Sequence, residues 1–289
     1  MLILVWSHQL LGGEVALTFD DAPRPSGYAL DYRERVKRIR AALKHAGVPA
    51  AFFVLTKRMQ GDEGRTVIDD YLKDGHFVSN HTASHPSLER VGADDFIREI
   101  QQAHDVLAKL AGFRPWFRFP ELKEGRTQEE HDKVSAALKA MRYLPGYATV
   151  DSRDAYMELA YQQVLASGVK LDESQIKQSY LNVVGKRLEY FDDLGKKVFL
   201  RPVKQVLLMH ENDLAGQYLG DLITALKATG WTFVSPEIAY QDPMAVVSTM
   251  SLDATQGRLA TIAKDKNIPV SPPFEDPSLL KVMFGSKKK

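Results

Sequence analysis

Short apolar runs and longer amphipathic stretches alternate along the first 240 residues of the chain. The run at 50–55, Ala-Ala-Phe-Phe-Val-Leu, is wholly apolar, which is typical of a strand buried in a parallel sheet. The stretch at 31–46 has Val36, Ile39 and Leu43 at helical spacing on one side. The same criteria predict strands at 14–19, 50–55, 76–79, 116–119, 147–150, 204–209 and 231–234, and helices at 31–46, 66–74, 93–111, 127–141 and 214–229.

Repeated strand–helix units predict an α/β fold, with a parallel sheet inside and helices outside, either open or closed into a barrel. Two segments depart from the alternation. Residues 156–203 carry two helical patterns, at 156–167 and 172–193, with no strand between them, which predicts an inserted helical hairpin over one side of the functional site. Residues 242–289 predict a C-terminal extension with one helix near 254–264, which leaves 1–241 as the main domain. Residues 1–6 are apolar and fit an added first strand, the remnant of a leader or sequence added to the natural chain.

Two groups of polar residues follow predicted strands and together suggest a metal site. Asp20 and Asp21 end the first strand, and His81 and His85 follow the third at i and i+4 spacing. Alone, the Asp pair is better explained as a turn or helix cap, and the His pair as a surface feature. Taken together, Asp21, His81 and His85 form a two-histidine, one-carboxylate ligand set for a divalent metal. Asp20 is then placed to act as a general base on a water molecule.

Further polar residues also fall at the carboxyl ends of predicted strands, where chemistry collects in a barrel. Arg118 is a candidate to pair with Asp20 and to fix its charge. His210 alone would more often be a satisfied core residue, but opposite the metal it makes sense as the acid that protonates a leaving group. Asp154 or Asp151 could hold its far nitrogen and raise its pKa.

Composition narrows the classes of protein to which the chain can belong. The 289 residues contain no cysteine, which excludes disulfides, thiolate metal sites and cysteine nucleophiles. A net charge of +1 points to no nucleic-acid partner. No apolar stretch approaches the roughly 20 residues that a membrane-spanning helix needs. The amino terminus lacks the positive region and cleavage site of a signal peptide.

Five sequence motifs resemble, in order, those of the polysaccharide deacetylases (NodB homology, carbohydrate esterase family 4). They are Thr18-Phe19-Asp20-Asp21, His81-x-x-x-His85-Pro86, Phe117-Arg118-Phe119-Pro120, Asp151-x-x-Asp154 and Leu208-Met209-His210. The resemblance spans residues 14–241. It implies a distorted (β/α) barrel, a NodB-like catalytic domain at 1–241, and removal of N-acetyl or O-acetyl groups from glycans. The implied metal is Zn²⁺, with Co²⁺, Fe²⁺ or Ni²⁺ as alternatives.

The resemblance also implies a role for each matching residue. Asp20 corresponds to the catalytic base, Arg118 to its partner, and His210 to the catalytic acid tuned by Asp154. The implied metal ligands are Asp21, His81 and His85. The implied oxyanion and substrate contacts are Glu121 through its backbone N–H, Pro120, Tyr156 and Leu208.

The chain departs from the family pattern at three places. Ala22 replaces the usual Gly after the Asp pair, and Glu121-Leu122 replaces the usual Tyr-Gly. Ala155 stands where the family usually has Trp after the fourth motif. The aromatic wall of the substrate groove is therefore missing or shifted to Tyr156, which affects the expected choice of sugar more than the expected chemistry.

The favoured hypothesis is a metal-dependent deacetylase acting on an acetylated poly- or oligosaccharide. The alternatives are an amidohydrolase or esterase with a small non-glycan substrate, and a catalytically silent glycan-binding protein. Export to the periplasm or beyond is expected from the resemblance, although no leader is evident and a cytoplasmic location stays open. The sequence leaves the oligomeric state open.

Overall fold

Parallel strands and helices alternate through residues 12–275, the part of the chain that the computed structural model describes. The predicted first strand at 1–6 and the end of the C-terminal extension lie outside these residues. The strands are β1 (Glu14–Ala22), β2 (Ala51–Val54), β3 (Phe77–Asn80), β4 (Phe113–Phe117), β5 (Leu144–Pro145), β6 (Val150–Asp151), β7 (Gln205–His210) and β8 (Thr232–Phe233).

The strands form one parallel sheet in the order β5-β4-β3-β2-β1-β7-β6, with β8 pairing beside the start of β1. The strand β1 is central: its residues pair with β2 on one side and with β7 on the other, so that Asp20 lies opposite both Phe53 and His210. No pairing joins β5 to β6 within the described residues. The sheet is therefore a half-barrel, as the predicted (β/α) architecture requires, and all its strands end at the same edge.

Ten α-helices are assigned within the described residues, and most of them cover the outside of the sheet. They are α1 (Tyr32–Ala46), α2 (Asp62–Lys73), α3 (Leu88–Val91), α4 (Ala93–Leu107), α5 (Gln128–Ala140), α6 (Asp154–Ala166), α7 (Glu173–Phe199), α8 (Asp213–Ala228), α9 (Pro236–Ala239) and α10 (Arg258–Asp265). The helix α5 begins with a side-chain cap, since the Thr127 hydroxyl accepts a hydrogen bond from the Glu130 amide.

The structure moves several predicted boundaries. The strand predicted at 116–119 is β4, which ends at Phe117 and so places Arg118 in the loop beyond it. The strand predicted at 147–150 is displaced to Val150–Asp151. The second helix of the predicted hairpin runs to Phe199 instead of residue 193, because apolar side chains at Leu194 and Val198 continue its buried face.

The two helices predicted as an inserted hairpin, α6 and α7, connect β6 to β7. The helix α6 contributes side chains to the cavity at the strand ends. The longer helix α7 packs into the main core through Tyr180, Val184, Leu188 and Phe191, which are completely buried. The pair therefore serves as the crossover between two neighbouring strands, and only its first helix borders the site.

The segment after residue 241 is packed against the same core. Asp242 accepts hydrogen bonds from both terminal nitrogens of Arg201, at 2.6 and 3.0 Å. The amide of Arg258 donates to the carbonyl of Ala148, in the link between the unpaired strands β5 and β6. The segment therefore covers the open side of the half-barrel. No helix among the described residues is both long and apolar enough to cross a membrane.

We predict that Gly257→Ala destabilises the protein because Gly257 docks this segment. Its φ of +91° is a conformation that residues with a Cβ rarely adopt, and an added Cβ would lie 2.8 Å from the Thr149 carbonyl oxygen. We expect a loss of about 2–3 kcal/mol in the free energy of unfolding, measured by urea denaturation. The control is Gly47→Ala, where φ is +81° but no atom lies within 4 Å of the added Cβ. Equal losses in the two variants would contradict this account.

Candidate active site

A cavity of about 1000 Å³ opens at the carboxyl edge of the sheet. Its walls come from the ends of β1, β6 and β7, from the loops after β3 and β4, and from α6. Its lining includes Asp20, Asp21, His81, His85 and His210. Residues that are far apart in the chain therefore meet because parallel strands end together.

Asp21, His81 and His85 form the cluster expected of a metal site. One ligand atom from each lies within 4.8 Å of the others. The Oδ1 atom of Asp21 is 3.9 Å from Nε2 of His81 and 3.5 Å from Nε2 of His85. Asp21 and His85 both have left-handed backbone conformations, with φ of 69° and 64°. Backbone strain of this kind concentrates at functional sites, where it aims side chains.

The hydrogen bond of His81 selects which of its nitrogens faces the cluster. Nδ1 lies 2.8 Å from the carbonyl oxygen of Arg118, which can only accept, so Nδ1 carries the proton. Nε2 is then left with a free lone pair on the side of Asp21. Metal-binding histidines are commonly oriented by such a bond from the second ring nitrogen.

The charge states of the three side chains fit a divalent cation. Burial lowers the pKa of both His81 and His85 to about 4, so that both imidazoles are neutral at pH 7. Burial acts to raise the pKa of Asp21, but nearby histidines, His210 foremost, outweigh it and lower the value to about 2. Metals bind neutral imidazole and ionised carboxylate.

One atom of the cluster lacks a hydrogen-bond partner. Asp21 Oδ1 is buried, and no group within residues 12–275 donates to it. An ionised oxygen left unpaired in this way is costly unless a cation satisfies it. The residues present therefore fit a bound divalent metal with two nitrogen ligands, one oxygen ligand and open positions.

Asp20, the other carboxylate of the pair, contacts the buried guanidinium of Arg118. Asp20 Oδ1 accepts a hydrogen bond from Arg118 Nη1 at 2.5 Å, and Asp20 Oδ2 lies 3.8 Å from Nε2 of His81. Burial raises the pKa of Asp20, and the charge of Arg118 only partly offsets this. A carboxylate whose pKa is moved toward neutral is a better proton acceptor.

The remaining donors of Arg118 are also satisfied, which holds the guanidinium in one place. Its plane lies over the ring of Phe53, with Cζ 3.9 Å from the ring centroid. Its other acceptors are the carbonyl oxygens of Gly146 and Tyr147 and the hydroxyls of Thr18 and Tyr240. The predicted pairing with Asp20 is thus present, and four further contacts fix its direction.

His210 ends β7 and is bonded to Asp154, not to Asp151. Its Nδ1 lies 2.8 Å from Asp154 Oδ1, and its amide donates to Asp154 Oδ2 at 2.8 Å. Burial disfavours a charged imidazole, but the charge and hydrogen bond of Asp154 outweigh it and raise the pKa of His210 to about 9. Asp151 instead accepts hydrogen bonds from Arg153. Of the two carboxylates left open by the sequence, the structure selects Asp154.

Of the four residues expected to contact substrate, three line the cavity and one does not. Glu121, Tyr156 and Leu208 line the cavity, and Tyr156 is 42% exposed. Glu121 has a left-handed backbone, with φ of 57°. Pro120 is buried in the turn before it and is not among the lining residues.

Sequence reasoning missed a buried ionic network beneath the cavity. Arg35 on α1 contacts Glu211 at 3.3 Å and Asp213 at 3.0 Å, and all three side chains are at most 2% exposed. Asp213 also accepts the amides of Ala29 and Leu30, which ties the loop after β1 to the start of α8. The signal in the sequence was that Glu211 and Asp213, two carboxylates separated by Asn212, directly follow His210.

The fold and this cluster define a class: half-barrel proteins with a histidine–carboxylate cluster, suited to a metal ion, at the strand ends. A family model described as polysaccharide deacetylase matches residues 9–143. This match covers a little under half of the chain, and together with the relatives below it confirms the resemblance to the polysaccharide deacetylases, with NodB homology, that the motifs indicated. Family members depend on metals in general, in agreement with the histidine–carboxylate cluster.

Two curated bacterial relatives align with about a third of the chain. A peptidoglycan-N-acetylglucosamine deacetylase of Bacillus cereus is 34% identical over 111 residues, which cover 38% of this chain and 37% of the relative. The peptidoglycan-N-acetylmuramic acid deacetylase PdaC of Bacillus subtilis is 37% identical over 101 residues, 35% of this chain and 20% of the relative. The chain therefore spans well under two thirds of the length of these relatives.

Solved structures share the fold over most of the chain. The chitin deacetylase of Colletotrichum lindemuthianum is 22% identical with a TM-score of 0.56, over 83% of this chain and 95% of that one. The structure of PdaC from Bacillus subtilis is 20% identical with a TM-score of 0.53, over 80% and 92%. The prediction of a (β/α) barrel of this type is confirmed as a half-barrel.

We predict that Asp21, His81 and His85 hold the metal. In His81→Ala and His85→Ala, bound divalent metal should fall below about a tenth of the wild-type content, since a lost ligand removes a large part of the binding free energy. Elemental analysis after dialysis against a weak chelator measures it, and His45→Ala on the outer helix α1 is the control. Wild-type occupancy in both variants would exclude this ligand set.

Proposed function

We propose that the protein is a metal-dependent hydrolase that removes acetyl groups from an N-acetylated, or O-acetylated, polysaccharide or oligosaccharide. One observation supports this above all: a carboxylate paired with an arginine and a histidine paired with a carboxylate flank the histidine–carboxylate cluster in one cavity. Asp20 is a buried base held by Arg118, and His210 is a protonated acid held by Asp154. The chemistry of acyl transfer needs both.

The metal would be held by Asp21, His81 and His85, and we propose Zn²⁺, with Co²⁺, Fe²⁺ or Ni²⁺ as alternatives. When bound, a metal of this kind polarises the acetyl carbonyl and makes a neighbouring water more acidic. The backbone N–H of Glu121, on the cavity wall, is proposed to donate to the carbonyl oxygen as negative charge develops.

Asp20 would take the proton from the attacking water. Arg118 keeps the carboxylate aimed, because the guanidinium is itself fixed by its five hydrogen bonds and by Phe53. The raised pKa of Asp20 makes proton transfer to it more favourable. The transferred proton then resides on the carboxyl group that faces the cavity.

His210 would deliver a proton to the leaving nitrogen or oxygen of the sugar. Its Nδ1 is bonded to Asp154, so the other ring nitrogen, Nε2, is the one available for proton delivery. Because the pKa of His210 is about 9, the ring carries its proton at pH 7. Proton removal at Asp20 and proton delivery at His210 complete the hydrolysis without a covalent intermediate.

The proposed substrate class follows from the cavity and from the names of the relatives. The opening of about 1000 Å³ has room for more than a single acetyl group, and Tyr156 and Leu208 offer apolar surface at its wall. The relatives are named as deacetylases of peptidoglycan, chitin and chitooligosaccharides. Acetate release from chitin oligomers, peptidoglycan fragments and acetylated xylan, with and without chelator, would identify the preferred polymer.

An exported location is part of the proposal, because the relatives named for peptidoglycan act on a cell-wall glycan. Fractionation of the producing cells, with immunodetection of the protein in each fraction, tests it. Recovery solely with the cytoplasm would contradict the proposed location without bearing on the chemistry.

We predict that Asp20→Asn and His210→Ala each lower kcat for acetate release by about 10²–10⁴, since each removes one proton-transfer partner. Metal content in Asp20→Asn should stay near that of the wild type. The matched control is Asp193→Asn, on an exposed carboxylate of α7. Activity within a few-fold of wild type in either site variant would refute the acid–base assignment.

We predict a shift in pH dependence for Asp154→Asn. The charge and hydrogen bond of Asp154 raise the pKa of His210 to about 9, so the neutral amide should let it fall toward the ordinary value of about 6.5. The acid must be protonated, so activity is present below this pKa and is lost as the pH rises through it. The alkaline limb of the kcat profile should therefore move to lower pH, and an unmoved limb would exclude His210 as the acid.

A further inference from the structure

The C-terminal segment reaches the rim of the cavity through Glu275. Its carboxylate bridges two arginines, with Oε1 2.8 Å from Arg187 Nη1 and Oε2 3.1 Å from Arg153 Nη2. Two backbone contacts reinforce this bridge: Arg153 donates to the Glu275 carbonyl at 2.9 Å, and Arg187 donates to that of Pro273 at 2.6 Å. The segment is thus fastened both to the start of α6 and to α7.

Arg153 connects this bridge to the aromatic ring at the cavity wall. Its guanidinium lies over the ring of Tyr156, with Cζ 4.6 Å from the centroid, and both residues line the cavity. Its backbone is left-handed, with φ of 63°, and Asp151 accepts its amide at 2.8 Å. The position of the Tyr156 ring therefore depends on where the Arg153 side chain is held.

The charges around Glu275 balance only when it is present. Arg153 and Arg187 face the carboxylates of Asp151 and Glu275, and the side chain of Arg187 is completely buried. Arg153 Nε and Arg187 Nη2 are buried without an acceptor in the described part of the chain. The cluster is already short of acceptors, so loss of the Glu275 charge would leave two cations beside one carboxylate.

We propose that Glu275 is a positioning residue for substrate binding: through Arg153 it holds the Tyr156 ring against the glycan. This inference rests on the proposed function. Glu275 itself touches neither the metal cluster nor the proton-transfer pairs, so its effect should appear in the binding of an oligosaccharide. The C-terminal extension would in this way complete the substrate cavity as well as cover the half-barrel.

We predict that Glu275→Gln raises KM for penta-N-acetylchitopentaose by about two- to fivefold, the effect of one exposed cation–π contact, with kcat changed less than about twofold. Hydrolysis of 4-nitrophenyl acetate, which is too small to need the ring, should be unaffected. Glu275→Asp should restore part of the loss. The control is Glu237→Gln, which breaks a comparable pair with Arg114 (2.6 Å) outside the cavity and should leave KM unchanged.

A double-mutant comparison tests the route through Arg153. In an Arg153→Met background, Glu275→Gln should no longer change KM, because the intermediary is gone. Equal KM changes with and without Arg153 would overturn the proposal, as would equal KM changes in the Glu275 and Glu237 variants.

Hydrogen exchange separates this inference from the proposed function. Amides of residues 151–159 should exchange faster in Glu275→Gln than in the wild type or Glu237→Gln. If the wild-type protein releases acetate from no substrate, the proposed function has failed. The exchange measurement would still test whether Glu275 positions residues 151–159. Unchanged exchange at residues 151–159 would refute the proposed positioning role of Glu275.

Discussion

The buried guanidinium of Arg118 is the constraint on which the site depends. A charge that is 1% exposed is tolerated only when it is paired and hydrogen-bonded, and every N–H of this group has an acceptor. Those acceptors come from β1, from the link between β5 and β6, and from Tyr240 beyond α9. The backbone carbonyl of the same residue also orients His81. One residue therefore contacts the proposed base, orients a proposed metal ligand and joins the link between β5 and β6 to the rest of the site.

The central strand β1 explains how the proposed base and a proposed metal ligand can be consecutive residues. Side chains of a regular strand alternate between faces, so Asp20 and Asp21 would ordinarily point apart. The left-handed backbone of Asp21 and the register shift between Asp20 and Ala22 interrupt that alternation. Both carboxylates consequently line the same cavity while they contact different groups: Arg118 for Asp20, and the histidines for Asp21.

The sequence predicted the parts of the fold that depend on local pattern. Apolar runs located the long strands, and the residues that follow them identified Asp20, His81 and His210, because polar side chains at strand ends share one edge. Interactions between segments that are distant in the chain could not be predicted from the sequence. The acceptors of Arg118 at Gly146 and Tyr147 are backbone carbonyls, which have no signature in side-chain type. The contacts of Glu275 with Arg153 and Arg187 could not be predicted either, because they depend on how the chain folds back toward Arg153 more than a hundred residues later.

The histidines of the cavity show how identical side chains acquire opposite pKa shifts. All are substantially buried, and burial alone disfavours the charged ring in each case. His81 and His85 have a backbone carbonyl or a shared carboxylate nearby, and their pKa values fall to about 4. His210 instead lies beside the carboxylate of Asp154, which is completely buried and accepts a hydrogen bond from the ring, and the pKa of His210 rises to about 9. The second partner of each ring, more than its depth, decides whether it can bind a metal or carry a proton.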